Sequence, residues 1–81
     1  MSRYTVLLYP AESGGFVAMI PMFGLATEGE TVEHALAMAR EAVELRIESL
    51  VNDGEPVLEE EQEPIVAAIH VEIPIPVAPT R

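Results

Sequence analysis

Cysteine and lysine are both missing from this 81-residue chain, and each absence removes a class of chemistry. Without cysteine there are no disulfides, no thiolate metal sites and no thiol nucleophile, so a small domain lacks its usual covalent and metal supports. Without lysine, four arginines face fourteen acids, for a formal net charge of −10. That balance repels phosphate backbones, which are bound by Lys and Arg displacing condensed counterions, so direct nucleic-acid binding is disfavoured. It suits a basic protein partner, or serves solubility alone.

Long apolar runs are missing as well. No stretch approaches the roughly 20 residues of a membrane helix. Met1-Ser2-Arg3-Tyr4 lacks the charged segment, apolar core and cleavage site of a secretion signal. The expectation is a soluble cytoplasmic protein of bacterial type with no membrane partner.

Catalytic motifs are equally scarce. Ser2, Ser13 and Ser49 fall in a terminus, a turn and a helix, with no activating sequence around them. His34 and His70 have neither an i,i+4 partner nor a zinc-type context, and read as surface residues. His70, beside an acidic strand end, is placed to influence an interface. Gly14, Gly15, Gly24 and Gly29 form no dinucleotide or phosphate-loop pattern and read as turn formers. Two-metal hydrolysis needs several converging carboxylates, whereas the one aspartate, Asp53, falls at a helix end. No catalytic, cofactor-binding or metal-ligating residue is expected, and no enzyme activity.

What is present organises one domain over residues 1–73, followed by a Pro-rich extended tail over 74–81. Tyr4 to Tyr9 is β-branched, aromatic and aliphatic, and stops at Pro10; Ala11-Glu12-Ser13-Gly14-Gly15 then reads as a hairpin connection. Phe16 to Ile20 alternates Phe16, Ala18 and Ile20 on one face with Val17 and Met19 on the other, and Pro21 ends the run. Leu25 to Glu28 is a shorter third strand, completing an antiparallel meander.

Thr31 then reads as the N-cap of a long helix with Glu33 in its first turn, closed by Asn52-Asp53-Gly54. Val32, Leu36, Ala39, Val43, Ile47 and Leu50 recur at helical spacing and are assigned to the core; Glu41, Glu44 and Glu48 mark the opposite, solvated face. Beside the core stripe, Met38, Ala42 and Leu45 form a narrower one, read either as a subunit contact or as the edge of a wide apolar face.

The acids Glu59, Glu60, Glu61 and Glu63 form a charged connector and a candidate acidic patch for a partner. Ile65, Ala67, Ile69, Val71 and Ile73 then share one face of an expected fourth strand, with His70 and Glu72 on the other. Pro74, Pro76 and Pro79 keep the tail out of a central ladder, leaving Ile75 and Val77 to lie on a neighbouring subunit. A domain this small buries a low fraction of its surface, so a homo-oligomer, dimer or tetramer, is expected.

The order strand, Gly14-Gly15, apolar strand, Pro21 and Gly24, Gly29-Glu30-Thr31-Val32-Glu33-His34-Ala35, acidic helix, then Asp53-Gly54-Glu55-Pro56 resembles the HicB-like family of antitoxins over about residues 3–73. The resemblance implies an α+β fold of order β-β-β-α-β, with a three-stranded antiparallel meander, a fourth strand and one helix packed on one face. That arrangement is a partial ribonuclease-H-like fold without catalytic carboxylates. It further implies a non-catalytic inhibitor of a small basic, mRNA-cleaving toxin of HicA-like type. Pro21-Met22-Phe23-Gly24-Leu25 replaces the family's usual Pro-Asp/Glu-Leu-Pro-Gly-Cys segment. Full-length members also carry a carboxy-terminal DNA-binding domain that is not expected here, so operator binding is not carried over. The other reading is an oligomeric scaffold or small-ligand-binding module that keeps the same fold but has no toxin partner.

Overall fold

A computed structural model describes residues 1–75. Its elements are β1 (Leu7–Pro10), β2 (Phe16–Ile20), β3 (Leu25–Gly29) and α1 (Val32–Asn52). The strands form one antiparallel sheet in the order β1-β2-β3, with Leu8 opposite Ala18 and Ala18 opposite Thr27. The helix lies across β2 and β3.

Local chemistry accounts for each junction. The β1–β2 turn is closed by Ala11 N–H donating to Gly15 O (3.0 Å) and Gly14 N–H to Ala11 O (3.1 Å). It needs positive φ at both glycines, 93° at Gly14 and 76° at Gly15, a region disfavoured for side chains with a Cβ. Thr31 is extended at the head of α1, and its Oγ1 accepts from His34 N–H at 3.0 Å. That contact satisfies one of the helix's orphan donors. Just before it, Glu30 N–H donates to His34 Nδ1 (3.1 Å), so the same histidine braces the incoming chain. At the other end Glu55 N–H donates to Leu50 O (2.9 Å) and Gly54 N–H to Val51 O (3.1 Å), with Gly54 at φ 69°. This pair of bonds is the Schellman closure, which stops the helix at Asn52.

The core consists of Ala18, Ile20, Ala35, Ala39 and Val43, bordered by half-buried Val6, Leu8, Phe16, Leu25 and Ile47. Tyr4 and Phe23 complete one end with tilted rings 5.0 Å apart. The buried helical stripe therefore differs from the expected one in its first two turns. Ala35 is buried, whereas Val32 and Leu36 are exposed, Leu36 by 41 %. The cause is the close approach of helix and sheet. A Cβ placed on Gly29 would stand 2.3 Å from the backbone nitrogen of Ala35. At that separation only alanine-sized groups fit between the layers, and the branched residues are turned outward.

The fourth strand is not formed. Residues 65–73 belong to no strand and are exposed along their whole length. Alternation of apolar residues states which side a strand would bury, but a strand also needs a backbone ladder, and residues 65–73 form none with β1 or any other described strand. The described architecture is thus α+β, with three strands and one helix. Three boundaries also shift: β1 begins at Leu7 instead of Tyr4 and includes Pro10, and β3 extends to Gly29. Ile75 is exposed, while Val77 lies outside the described residues.

Candidate protein-binding surface

The acidic connector returns from the end of α1 to the start of the chain, where Glu60 becomes the centre of a clasp. Thr5 N–H and Thr5 Oγ1 donate to Glu60 at 3.1 and 2.5 Å, and Arg3 Nη1 donates to Glu60 Oε2 at 2.9 Å. Arg3 Nη2 reaches Glu63 at 2.9 Å, Ser2 Oγ donates to Glu59, and Tyr4 Oη donates to Leu58 O at 2.9 Å. The Glu60 side chain is 9 % exposed, against 76 % for Glu63. The Thr5 hydroxyl, then the Thr5 amide, and then the Arg3 guanidinium hold the Glu60 carboxyl below its ordinary value, against an opposing effect of burial.

The four expected patch residues are therefore not equivalent. Glu60 is committed to the fold, Glu59 and Glu63 are tied to Ser2 and Arg3 at the surface, and Glu61 is exposed. Arg3 and Thr5 carry no motif that marks them as partners of the connector. The one available signal was a single cation near the amino terminus of a chain whose acids outnumber its cations more than threefold.

On α1, Glu41, Glu44 and Glu48 are exposed on the side away from the buried Ala35, Ala39 and Val43. The neighbouring stripe is graded: Ala42 is half-buried, Met38 lies at the border of exposure and Leu45 is exposed. It sits on the flank of the helix.

The sheet face turned away from α1 forms a second surface. Side chains alternate along a strand, so with Ala18 and Ile20 buried under the helix, Leu7, Tyr9, Val17 and Met19 share the other face. No element covers it among the described residues. Between this face and the root of residues 64–67 runs a groove of about 590 Å³, lined by Thr5, Leu7, Tyr9, Met22, Glu60, Pro64 and Ile65, among others. Its walls are mostly aliphatic and aromatic, with Thr5 and Gln62 as neutral polar members, and its single carboxylate is the one already held by Thr5 and Arg3.

A shallower cleft at the turn end is lined by Ser13, Gly14, Gly15, Glu28, Glu30 and His34. His34 Nδ1 is engaged by Glu30 N–H there, and no serine–base pair is formed with Ser13 among the described hydrogen bonds. No group of three His, Cys, Asp or Glu side chains positioned to hold a metal ion occurs among the described residues, nor does any helix long and apolar enough to cross a membrane.

The chain is similar to the UPF0150 protein ssr1765 of a Synechocystis strain. The two are 44 % identical over 60 residues, covering 73 % of this chain and 76 % of that protein. No protein-family model matches the chain, and no solved structure matches it.

Proposed function

Since the chain belongs to the UPF0150 family, we propose that it is a non-catalytic, HicB-like antitoxin that binds and inhibits a small basic ribonuclease of HicA-like type. The observation that carries this reading is the distribution of charge. A net charge of −10 is spread over a small surface, with Glu41, Glu44 and Glu48 aligned on the outer face of α1 and Glu61 and Glu63 on the connector. Such a field attracts a cationic protein, speeds its encounter and disfavours RNA as a direct ligand. The ordered run from Gly14-Gly15 to the capped helix, which resembles the HicB-like pattern, supports the same reading.

Co-expression with the basic ribonuclease is expected to rescue cell growth, and the purified pair is expected to co-elute. Simultaneous charge reversal of Glu59, Glu61 and Glu63 should weaken the complex and flatten its salt dependence. Glu60 is left intact because its loss would disturb the fold. Unchanged affinity at low salt would reject the connector as the contact and direct attention to the helix stripe.

A second reading, an oligomeric scaffold without a toxin, is favoured by the long exposed apolar segment after Pro64. A neighbouring gene for a short lysine-rich protein with a central histidine separates the two, since only the inhibitor reading requires it.

A further inference from the structure

Residues 65–73 carry a strand's alternation without a strand's partner, and β1 has an edge without a neighbour. Ile65, Ile69 and Val71 are 92 %, 85 % and 70 % exposed. The geometry of the β1 edge follows from its turn. Ala11 N–H donates to Gly15 O, so in an antiparallel ladder the backbone groups of Tyr9 and Leu7 also face β2. Those of Val6 and Leu8 therefore point away from the sheet, and Pro10, which has no N–H, ends this edge at an outward-facing position.

We propose that residues 65–73 add as a strand to the β1 edge of a second copy of this chain, each copy giving its arm and receiving the other's. Three observations fit a second copy as the occupant. The first is area. The chain exposes 6902 Å² at a mass of 8.8 kDa, about 2,100 Å² more than the roughly 4,800 Å² of a compact monomer of that mass. A standard interface takes about 800 Å² from each partner, well within that excess. The radius of gyration, 16.1 Å, likewise exceeds the roughly 12 Å of a compact domain of this length.

The second is chemistry. From Pro64 to Ile75 the one charged residue is Glu72, so a basic partner finds almost nothing to read there, whereas an apolar edge finds a matching face. The edge itself, Val6 to Pro10, carries no charged side chain that would blunt strand addition. The third is placement. The Glu60 clasp roots the arm beside β1 of its own chain, and Pro64 to Ala67 line the same groove as Leu7 and Tyr9 without a backbone ladder to them. A two-fold axis next to that groove brings each arm to the other copy's edge, in an isologous exchange that leaves both edges covered. This assembly goes beyond the inhibitor reading and holds with or without a toxin.

Light scattering of the full chain should report a dimer or a multiple of it. In a mixture of isotope-labelled and unlabelled protein, intermolecular NMR contacts are expected between residues 65–73 of one copy and Val6 to Leu8 of the other. Ile69→Lys should weaken self-association by about 100-fold or more, because each dimer contains the substitution twice. Its helical circular dichroism should persist, and Glu48→Lys should leave the dimer unchanged. A monomeric full chain overturns the proposal, as does a dimer whose intermolecular contacts exclude the arm. Contacts of the arm with β1 found only within one copy overturn it too. Should Ile69→Lys unfold the protein, the labelled and unlabelled wild-type mixture still decides.

Discussion

Of the five glycines, Gly29 has the least room for a side chain. Its missing side chain lets Ala35 approach so closely that an added Cβ would stand 2.3 Å from a backbone nitrogen and 2.6 Å from the Ala35 Cα. Neither atom belongs to a flexible side chain, so the layers must separate to admit it. Gly29→Ala is expected to destabilise the fold by about 2 kcal/mol or more, as overpacking does in rigid interiors. Urea unfolding measures the loss, and an unchanged midpoint would show that the layers can part freely.

Glu60 makes a residue-scale prediction of a different kind. Its folded-state pKa is lowered, first by the Thr5 hydroxyl, so folding favours its charged form. A depressed carboxyl contributes stability that is present above the unfolded-state pKa and lost as pH falls through the folded one. The clasp should therefore hold at neutral pH and weaken on acidification below the ordinary glutamate range. In Glu60→Gln the unfolding midpoint at neutral pH should fall, and its decline with acid should be shallower than in the wild type. Thermal melts across that pH range provide the comparison; parallel curves would mean that Glu60 does not report the clasp.

At the scale of the element, α1 is bounded by backbone hydrogen bonding more than by its apolar pattern. Thr31 accepts from His34 N–H, and the Gly54 and Glu55 amides return to Val51 and Leu50. Thr31→Ala should cost about 1 kcal/mol, and Thr31→Asp should recover most of it, because a carboxylate can take the same donor next to the positive end of the helix dipole. Chemical denaturation of the two variants separates capping from a mere change of volume. These end signals were legible in the sequence because each acts over three to five residues. The buried stripe was legible only from Ala39 onward. Its first two turns follow the sheet–helix spacing at Gly29, which no helical periodicity records.

For the whole molecule, charge opposes compaction. Fourteen acids and four arginines are confined to one small fold, and the clasp engages Arg3 with Glu60 and Glu63. Added sodium chloride should therefore raise the melting temperature by screening repulsion, and binding of a basic protein should show the opposite response, weakening with salt. Calorimetry in low and high salt tests the first expectation. A melting temperature that falls with salt would mean that surface ion pairs outweigh the repulsion.

The same scale separates what the sequence determined from what only the tertiary structure decided. Turn glycines, the Phe16–Ile20 alternation, the Thr31 cap and the Asn52–Gly54 stop are local instructions, and β2 and the helix arise where those residues place them, with β1 and β3 displaced at their ends. The net charge of −10 is likewise a property of composition. Three matters depended on residues far apart in the chain: the use of Glu60 by Arg3 and Thr5, the choice of Ala35 over Leu36 for the interior, and the failure of residues 65–73 to find an edge. Each is settled by which surfaces meet. Periodicity states which face of a segment is apolar, but the distance between layers and the presence of a free partner determine whether that face is buried.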